Sequence, residues 1–380
     1  MTKVLHINSN FLTSKLHENL IDKLPDMFEN VIFMPIKKAK HSEMIYTSKY
    51  EVYSPVTFNE YHKFFYTWKQ FKIYSKLKSL IDVREYDVIH AHTLFTDGNI
   101  AFKLFKKYDI PYIVTVRNDT DVENFFKIRI NLRGRGINIL KNASEIIFLS
   151  ESSKLNLCNK YIKNEETKVM VLEKSHIIPN GIDDFWHKNK AAARRLDENK
   201  QLKLLSVGQI RKRKNQIGSI KAAQILKSKY NKDVKLTFVG KVIEKEYLDK
   251  MNKQNNQEME VIEHIEKEGL IDLYKNNDIF ILPSFRETFG LVYPEAMSQG
   301  LPVIYSKEQG FHRQFEEGIV GYGVDSENPE DIADKIIKII DNYDEISLNA
   351  LTQVDKFDWD ILSDELGQLY CKVIDKNNMQ

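Results

Sequence analysis

Short apolar runs of strand length recur along the chain, separated by polar loops and stretches of helical periodicity. In the first half, Lys3–Ile7, Val31–Met34, Val88–His92, Pro111–Val116 and Glu145–Ser150 read as buried strands. In the second half the same reading falls on Lys203–Gly208, Val234–Gly240, the residues near Val261, Asp278–Pro283 and Leu301–Ile304. Helical patterns fall over about 15–24, 61–81, 216–229 and 331–340, and from Phe357 to about 374. Alternation of this kind predicts an α/β chain with parallel sheets. Its 380 residues exceed what one core usually holds, so two domains are expected. The polar, charged stretch Lys188–Lys200 reads as the linker between them.

The stretch Phe285–Gly300 is a loop followed by a helix, set between two of these strands. Gly290 allows close backbone approach, Pro294 suits a first helical turn, and Gly300 with Pro302 stops the helix. A helix N-terminus opening at a strand's carboxyl end is an anion site, because its free N–H groups and dipole converge there. Glu287 in the loop and Glu295 in the helix bracket that site. Two carboxylates around an anion-binding turn suit hydroxyl groups on either side of a phosphate, the layout of a nucleotide sugar. Earlier in the same half, Gly208 ends a strand and the cations Arg211, Lys212, Arg213 and Lys214 follow it.

The run from Ser284 to Ile304, with Glu287-Thr288-Phe289-Gly290-Leu291 and Glu295-Ala296, resembles the Glu-x7-Glu signature of the retaining family-4 glycosyltransferases. The resemblance implies the GT-B fold: two Rossmann-like parallel-sheet domains facing across a cleft, with a C-terminal helix crossing back to the N-domain. It implies an acceptor-binding domain over 1–186, completed by 357–380, and a donor-binding domain over 187–356. The Ile178-Pro179-Asn180-Gly181-Ile182-Asp183 run is similar to the family's closing N-domain turn. By the same resemblance Glu287 lies at the donor sugar and Glu295 holds the ribose, while Thr288, Phe289, Gly290, Leu291 and Gly208 line the donor. Gly310, in the Ser306–Phe311 turn, corresponds to the family's sugar-contacting Gly-Gly, with Gln309 replacing one glycine. The family's diphosphate-binding Arg is replaced by Gln209, while Lys214 fits the Lys position. Arg211 or Arg213 supplies the missing charge, with Arg211 favoured.

The first half departs from the family's pattern in two places. The loop after the first strand has Asn8-Ser9-Asn10 where relatives carry a glycine pair, so Asn10 is an acceptor-side candidate. Arg117 stands where relatives carry a His beside the reacting sugar. An Arg is no base, but it holds a phosphate or carboxylate through two N–H groups. His92 ends a strand at the edge where ligands collect, with a functional and a structural role equally open. Asp119 and Asp121 mimic a metal-binding pair but read as helix caps or sugar contacts. No metal and no cofactor beyond the nucleotide-sugar co-substrate is expected. The basic segment 127–141 is either an acceptor-side surface or a solvated helix face.

Composition narrows the picture. Net charge is only +2 with 29% charged residues, so no nucleic-acid footprint is expected. Two cysteines without metal spacing, Cys158 and Cys371, fit a reducing compartment. Asn8 and Asn10 interrupt the first apolar run, and no run reaches membrane-spanning length, so a cytoplasmic protein is expected, at the inner face of the membrane if it meets lipid. Residues 61–81 contain no acid. Phe64, Trp68 and Phe71 share one face, Lys69, Lys72 and Lys76 another, and Ile73, Leu77 and Leu80 a third. That pattern suits peripheral contact with an anionic membrane, a core helix with a solvated Lys face, or a partner groove. The expected activity is retaining, metal-independent transfer of a hexose from a UDP-type sugar to a glycan or lipid-linked acceptor in cell-surface polysaccharide assembly. Alternatives are a non-catalytic GT-B partner and a nucleotide-sugar epimerase of the same fold.

Overall fold

Each apolar run forms a strand, and among the described residues every strand pairing is parallel. The structure is a computed structural model that describes residues 1–13, 15–37, 50–59, 65–197, 199–254 and 258–379. By its internal contacts the chain divides into two compact units. One comprises Met1–Gly181 with Trp359–Gln380, the other Ile182–Asp358.

The first unit is built on a seven-stranded sheet. Its order is Glu51–Tyr53, Phe28–Phe33, Thr2–Ile7, Val88–Ala91, Tyr112–Val116, Glu145–Phe148 and Ser175–Ile177. Its central strands are buried on both faces, as parallel strands covered by helices must be. Alternate side chains feed two cores. Leu5, Ile89, Val114 and Phe148 lie in one. Val4, Val88, Ile113 and Ile147 lie in the other, with Leu362, Leu366, Leu369, Tyr370 and Val373 of the helix Trp359–Asn378. That helix runs past the expected stop near 374.

The second unit has six strands in the order Glu258–Ile262, Val234–Val239, Leu202–Val207, Ile279–Leu282, Val303–Ser306 and Gly321–Val324. The stretch read as a linker belongs to this unit. Ala191 N–H donates to the Ser298 carbonyl at 3.1 Å, and the Gln299 side chain donates to the Asn189 carbonyl at 3.0 Å.

The helix expected over 61–81 spans Tyr66–Leu80. Phe64 lies outside the described residues. Ile73 and Leu77 enter the core, while Trp68 and Phe71 are 54% and 57% exposed. Leu80, expected beside Ile73 and Leu77, is exposed instead. Residues Asn118–Ile128 wind as a π-helix, a form that concentrates at functional sites. Among the described residues, no helix is long and apolar enough to cross a membrane.

Candidate active site

Strand Leu202–Val207 ends at Gly208, whose φ of +156° a side chain would oppose. The chain then turns through Lys212–Lys214 into the helix Gln216–Tyr230. Asn215 makes that turn possible. It holds a left-handed φ of 56°, caps the helix by accepting from Gly218 N–H, and donates to the carbonyls of Pro283 (3.0 Å) and Ser326 (2.7 Å). Phe285 N–H donates to the Arg213 carbonyl at 2.9 Å. The basic turn and the Glu287 loop, some 70 residues apart in sequence, are thereby laced together.

Across this lacing, Lys214 Nζ meets Glu287 Oε2 at 2.5 Å, and both side chains are about nine-tenths buried. Glu287 is fixed from three more directions. Its N–H donates to Gln309 Oε1 at 2.9 Å, its carbonyl accepts from Gly310 N–H at 3.2 Å, and its Oε1 accepts from Thr288 N–H at 3.3 Å. Gln309, where the family carries glycine, thus supplies an acceptor. Gly310 has a packing role, since a Cβ there would lie 2.0 Å from the Thr288 carbonyl oxygen. Gly290 has a φ of +88°, and a Cβ there would meet the Tyr293 ring. Leu291 directly precedes the helix Val292–Ser298. Phe289, expected among the residues at the donor, turns its side chain inward. It is buried among Phe311 and Phe357, with ring centroids at 6.4 and 5.8 Å, because a large ring here fills the core beneath the loop.

Glu295 faces a different space. It lines a cavity of about 670 Å³ together with Gly208, Gln209, Gly240, Lys267 and Asp183. Burial pushes its carboxyl up to about 7. The Tyr274 hydroxyl and Lys267 pull the other way, and Asp183 adds to the rise. Lys267 itself pairs with Asp183 at 2.8 Å. Gly208 connects the two arrangements: the place where its Cβ would stand is 3.9 Å from Lys214 Nζ. Gly240 lets the neighbouring strand end approach, since its own Cβ would lie 2.2 Å from the Gly208 carbonyl oxygen. Neither cation offered for the vacant Arg role lines this cavity. Arg211 Nε lies 3.5 Å from Glu244 and its Nη1 donates to Gln209 Oε1 at 3.3 Å, while the buried Nε atoms of Arg211 and Arg213 alike make no hydrogen bond among the described residues.

In the first unit, Asn10 and Asp121 line one cavity of about 260 Å³. Asp121 is buried, and its oxygens accept from the N–H groups of Arg117 (2.9 Å), Leu94 (3.0 Å) and Phe95 (3.3 Å). Its desolvation outweighs those bonds and raises the carboxyl to about 6. Arg117 turns inward, with Nε donating to the His92 carbonyl at 3.1 Å and Nη2 reaching 3.4 Å from His17 Nδ1. His92 lines neither cavity. It is 1% exposed, stacked on His90 at 4.0 Å and bonded to His6 at 3.1 Å. His6, His90 and His92 bring ring nitrogens close enough to share an ion. Yet His90 is bonded to Tyr370 and Thr115, and His6 to Asn30. The cluster is therefore a hydrogen-bonded stack of neutral rings, with burial holding all three well below the usual histidine range.

Two family models match this chain. One is "Glycosyltransferase Family 4" over residues 18–184, and the other is "Glycosyl transferases group 1" over 187–353. The chain belongs to the family-4, group 1 glycosyltransferases. Its relatives include an uncharacterised glycosyltransferase of Methanocaldococcus jannaschii, 25% identical over 81% of this chain and 82% of the relative. An alpha-monoglucosyldiacylglycerol synthase of Acholeplasma laidlawii is 24% identical over 77% of each chain. Among solved structures, sucrose-phosphate synthase of Thermosynechococcus elongatus aligns with a TM-score of 0.72, covering 99% of this chain and 100% of that one at 18% identity. HepE of Anabaena, in complex with UDP and glucose, aligns at 0.64 with 98% and 100% coverage and 17% identity. The fold of this glycosyltransferase is GT-B.

Sequence reasoning missed several residues of this candidate site. Asn215 had a signal, an Asn opening a helix after a Gly-ended strand. Lys267 and Tyr274 had none, because only the fold brings them to Glu295.

Proposed function

We propose that this glycosyltransferase is a retaining, metal-independent hexosyltransferase that uses a nucleotide-diphosphate sugar of the UDP type. One observation carries the reading: the buried Lys214–Glu287 pair borders Gly208, which lines the cavity that also holds Glu295. In this reading the ribose hydroxyls bond to Glu295. The diphosphate lies along the Gly208 turn, where backbone can approach closely, and draws Lys214 away from Glu287. Lys214 then stabilises the charge that grows on the leaving phosphate, and Glu287 is released to the donor sugar. Fixed charge aimed at developing charge is usually the largest catalytic contribution. The acceptor hydroxyl enters on the face that the diphosphate leaves, and a phosphate oxygen takes its proton.

The acceptor is a glycan or lipid-linked molecule of cell-surface polysaccharide assembly, handled at the cytoplasmic face of the membrane. Binding of UDP-sugars by solved structural neighbours supports the donor class. The test is a donor screen followed by steady-state kinetics. Lys214→Ala and Glu287→Ala should each lower kcat by about 10²-fold or more, and EDTA should leave turnover unchanged. Transfer at the unaltered rate in both variants, or strict dependence on an added metal, would overturn the reading.

A further inference from the structure

Exposed apolar side chains gather on the first unit where the sequence supplies no acid. The helix Tyr66–Leu80 buries Tyr66, Gln70, Ile73 and Leu77, so one side of it is fixed to the core. Its outward side carries Trp68 and Phe71, and Phe65 stands exposed just ahead of it. A groove of about 660 Å³ joins these rings to Asn131 and Leu132, in the turn that follows the π-helix. Two more exposed apolar side chains, Ile128 and Ile130, lie next to that turn in sequence. Apolar clusters of this kind mark interaction sites. The charge around them has one sign. The helix carries Lys69, Lys72, Lys76 and Lys78 and no acid, and residues 124–142 carry Lys127, Arg129, Arg133, Arg135 and Lys141 and no acid. Lys72 and Lys76 make no ion pair among the described residues, and Lys72 Nζ stands 5.7 Å from the centre of the Trp68 ring.

This mixture decides among occupants. Protein interfaces place an uncharged apolar centre inside a polar rim, whereas here cation and aromatic ring alternate within one helical turn. A second copy meeting this face about a two-fold axis would set the lysines against themselves. The boundary layer of an anionic bilayer fits, because aromatic rings sit at headgroup level and lysines meet the phosphates beside them. Resting on the transferase reading only for its purpose, we propose that this face docks the first unit on an anionic lipid surface. Trp68, Phe71, Ile128 and Ile130 enter the layer between headgroups and acyl chains, and Lys72 and Lys76 pair with lipid phosphates. Tyr66 lines both this groove and the cavity of Asn10 and Asp121. Docking therefore brings that cavity beside the bilayer, where a lipid-linked acceptor resides.

The test titrates the full-length protein with vesicles of phosphatidylglycerol and, separately, of phosphatidylcholine. Binding should be confined to the anionic vesicles and weaken as salt rises. Trp186 and Trp359 are buried while Trp68 is 54% exposed, so a blue shift in emission, and quenching by brominated acyl chains, report Trp68. Trp68→Ser/Phe71→Ser and Ile128→Ser/Ile130→Ser should each weaken binding by about tenfold or more. Lys72→Gln and Lys76→Gln should each weaken it about fivefold. Unchanged thermal midpoints show that these surface variants are folded. No binding at low salt, binding that survives the apolar substitutions, or binding without the emission shift would defeat the proposal. So would a concentration-dependent dimer that the same substitutions abolish, since the face would then serve a second copy. UDP-glucose binding is measured on the same samples. Its absence from the unaltered protein would defeat the donor reading alone, whereas its presence beside failed vesicle binding defeats only the lipid surface.

Discussion

In the proposed donor site, Glu295 combines two requirements that oppose each other. Burial raises its carboxyl to about 7, while a partner for ribose hydroxyls works best as a carboxylate. UDP-glucose has no ionisation of its own near neutrality, so its affinity should rise as pH climbs from 6 to 8. Glu295→Gln should flatten that profile, as isothermal titration across the range would show. The buried histidines work in the other currency, stability. Burial, Arg117 and His6 together hold His17 down to about 3. The unfolded chain therefore binds a proton at this position below about pH 6.5 that the folded chain refuses, and stability is lost as pH falls through that window. Between pH 6.5 and 4.5 this one group accounts for about 2 kcal/mol. In His17→Gln that part of the acid loss should vanish from urea-unfolding curves. An identical pH dependence in both proteins would remove His17 from the account.

At the scale of elements, the turn after Leu202–Val207 and the loop after Ile279–Leu282 are held together chiefly through Asn215. Asn215→Ala removes a helix cap and leaves two carbonyls without their donor, so it should cost about 3 kcal/mol. It should also lower kcat, because the Lys214–Glu287 pair loses its frame. Calorimetry and kinetics on the same variant would show both effects; loss of one without the other would separate framing from folding. These elements also show what sequence can carry. Strands such as Ile279–Leu282 and Val303–Ser306 were legible because strands buried on both faces need unbroken apolar runs. Gly208, Lys214, Glu287 and Glu295 stood out because a glycine, a cation and two carboxylates follow strand ends at spacings that resemble the family's signature. The inward packing of Phe289 was not legible, because the rings it packs against, Phe311 and Phe357, lie 22 and 68 residues away. The inward turn of Arg117 towards the His92 carbonyl likewise depends on a neighbouring strand. The stretch 188–200 looked like a tether because its hydrogen-bond partners, the Ser298 and Tyr274 carbonyls and the Gln299 side chain, lie far along the chain.

At the scale of the molecule, the helix Trp359–Asn378 decides how the first unit holds together. Leu362, Leu366, Leu369, Tyr370 and Val373 complete one face of its sheet, and the Tyr370 hydroxyl bonds His90 at 2.7 Å. Five such side chains are worth about 1.5–3 kcal/mol each, so their sum rivals the whole stability of a domain. Cutting the chain after Asp358 should therefore strip hydrogen-exchange protection from Thr2–Ile7 and Val88–Ala91 while Leu202–Val207 keeps its own. Protection retained in all three strands would contradict this assignment.

The same helix sets an order of birth. The second unit is spelled out between the two parts of the first, so a ribosome delivers residues 182–358 complete before it releases 359–378. Until then the first sheet has one apolar face uncovered, and the later-made unit is expected to fold ahead of it. Nascent chains of this protein should therefore reverse the usual head-first sequence of domain folding, and their need for a chaperone should peak just before Trp359 emerges.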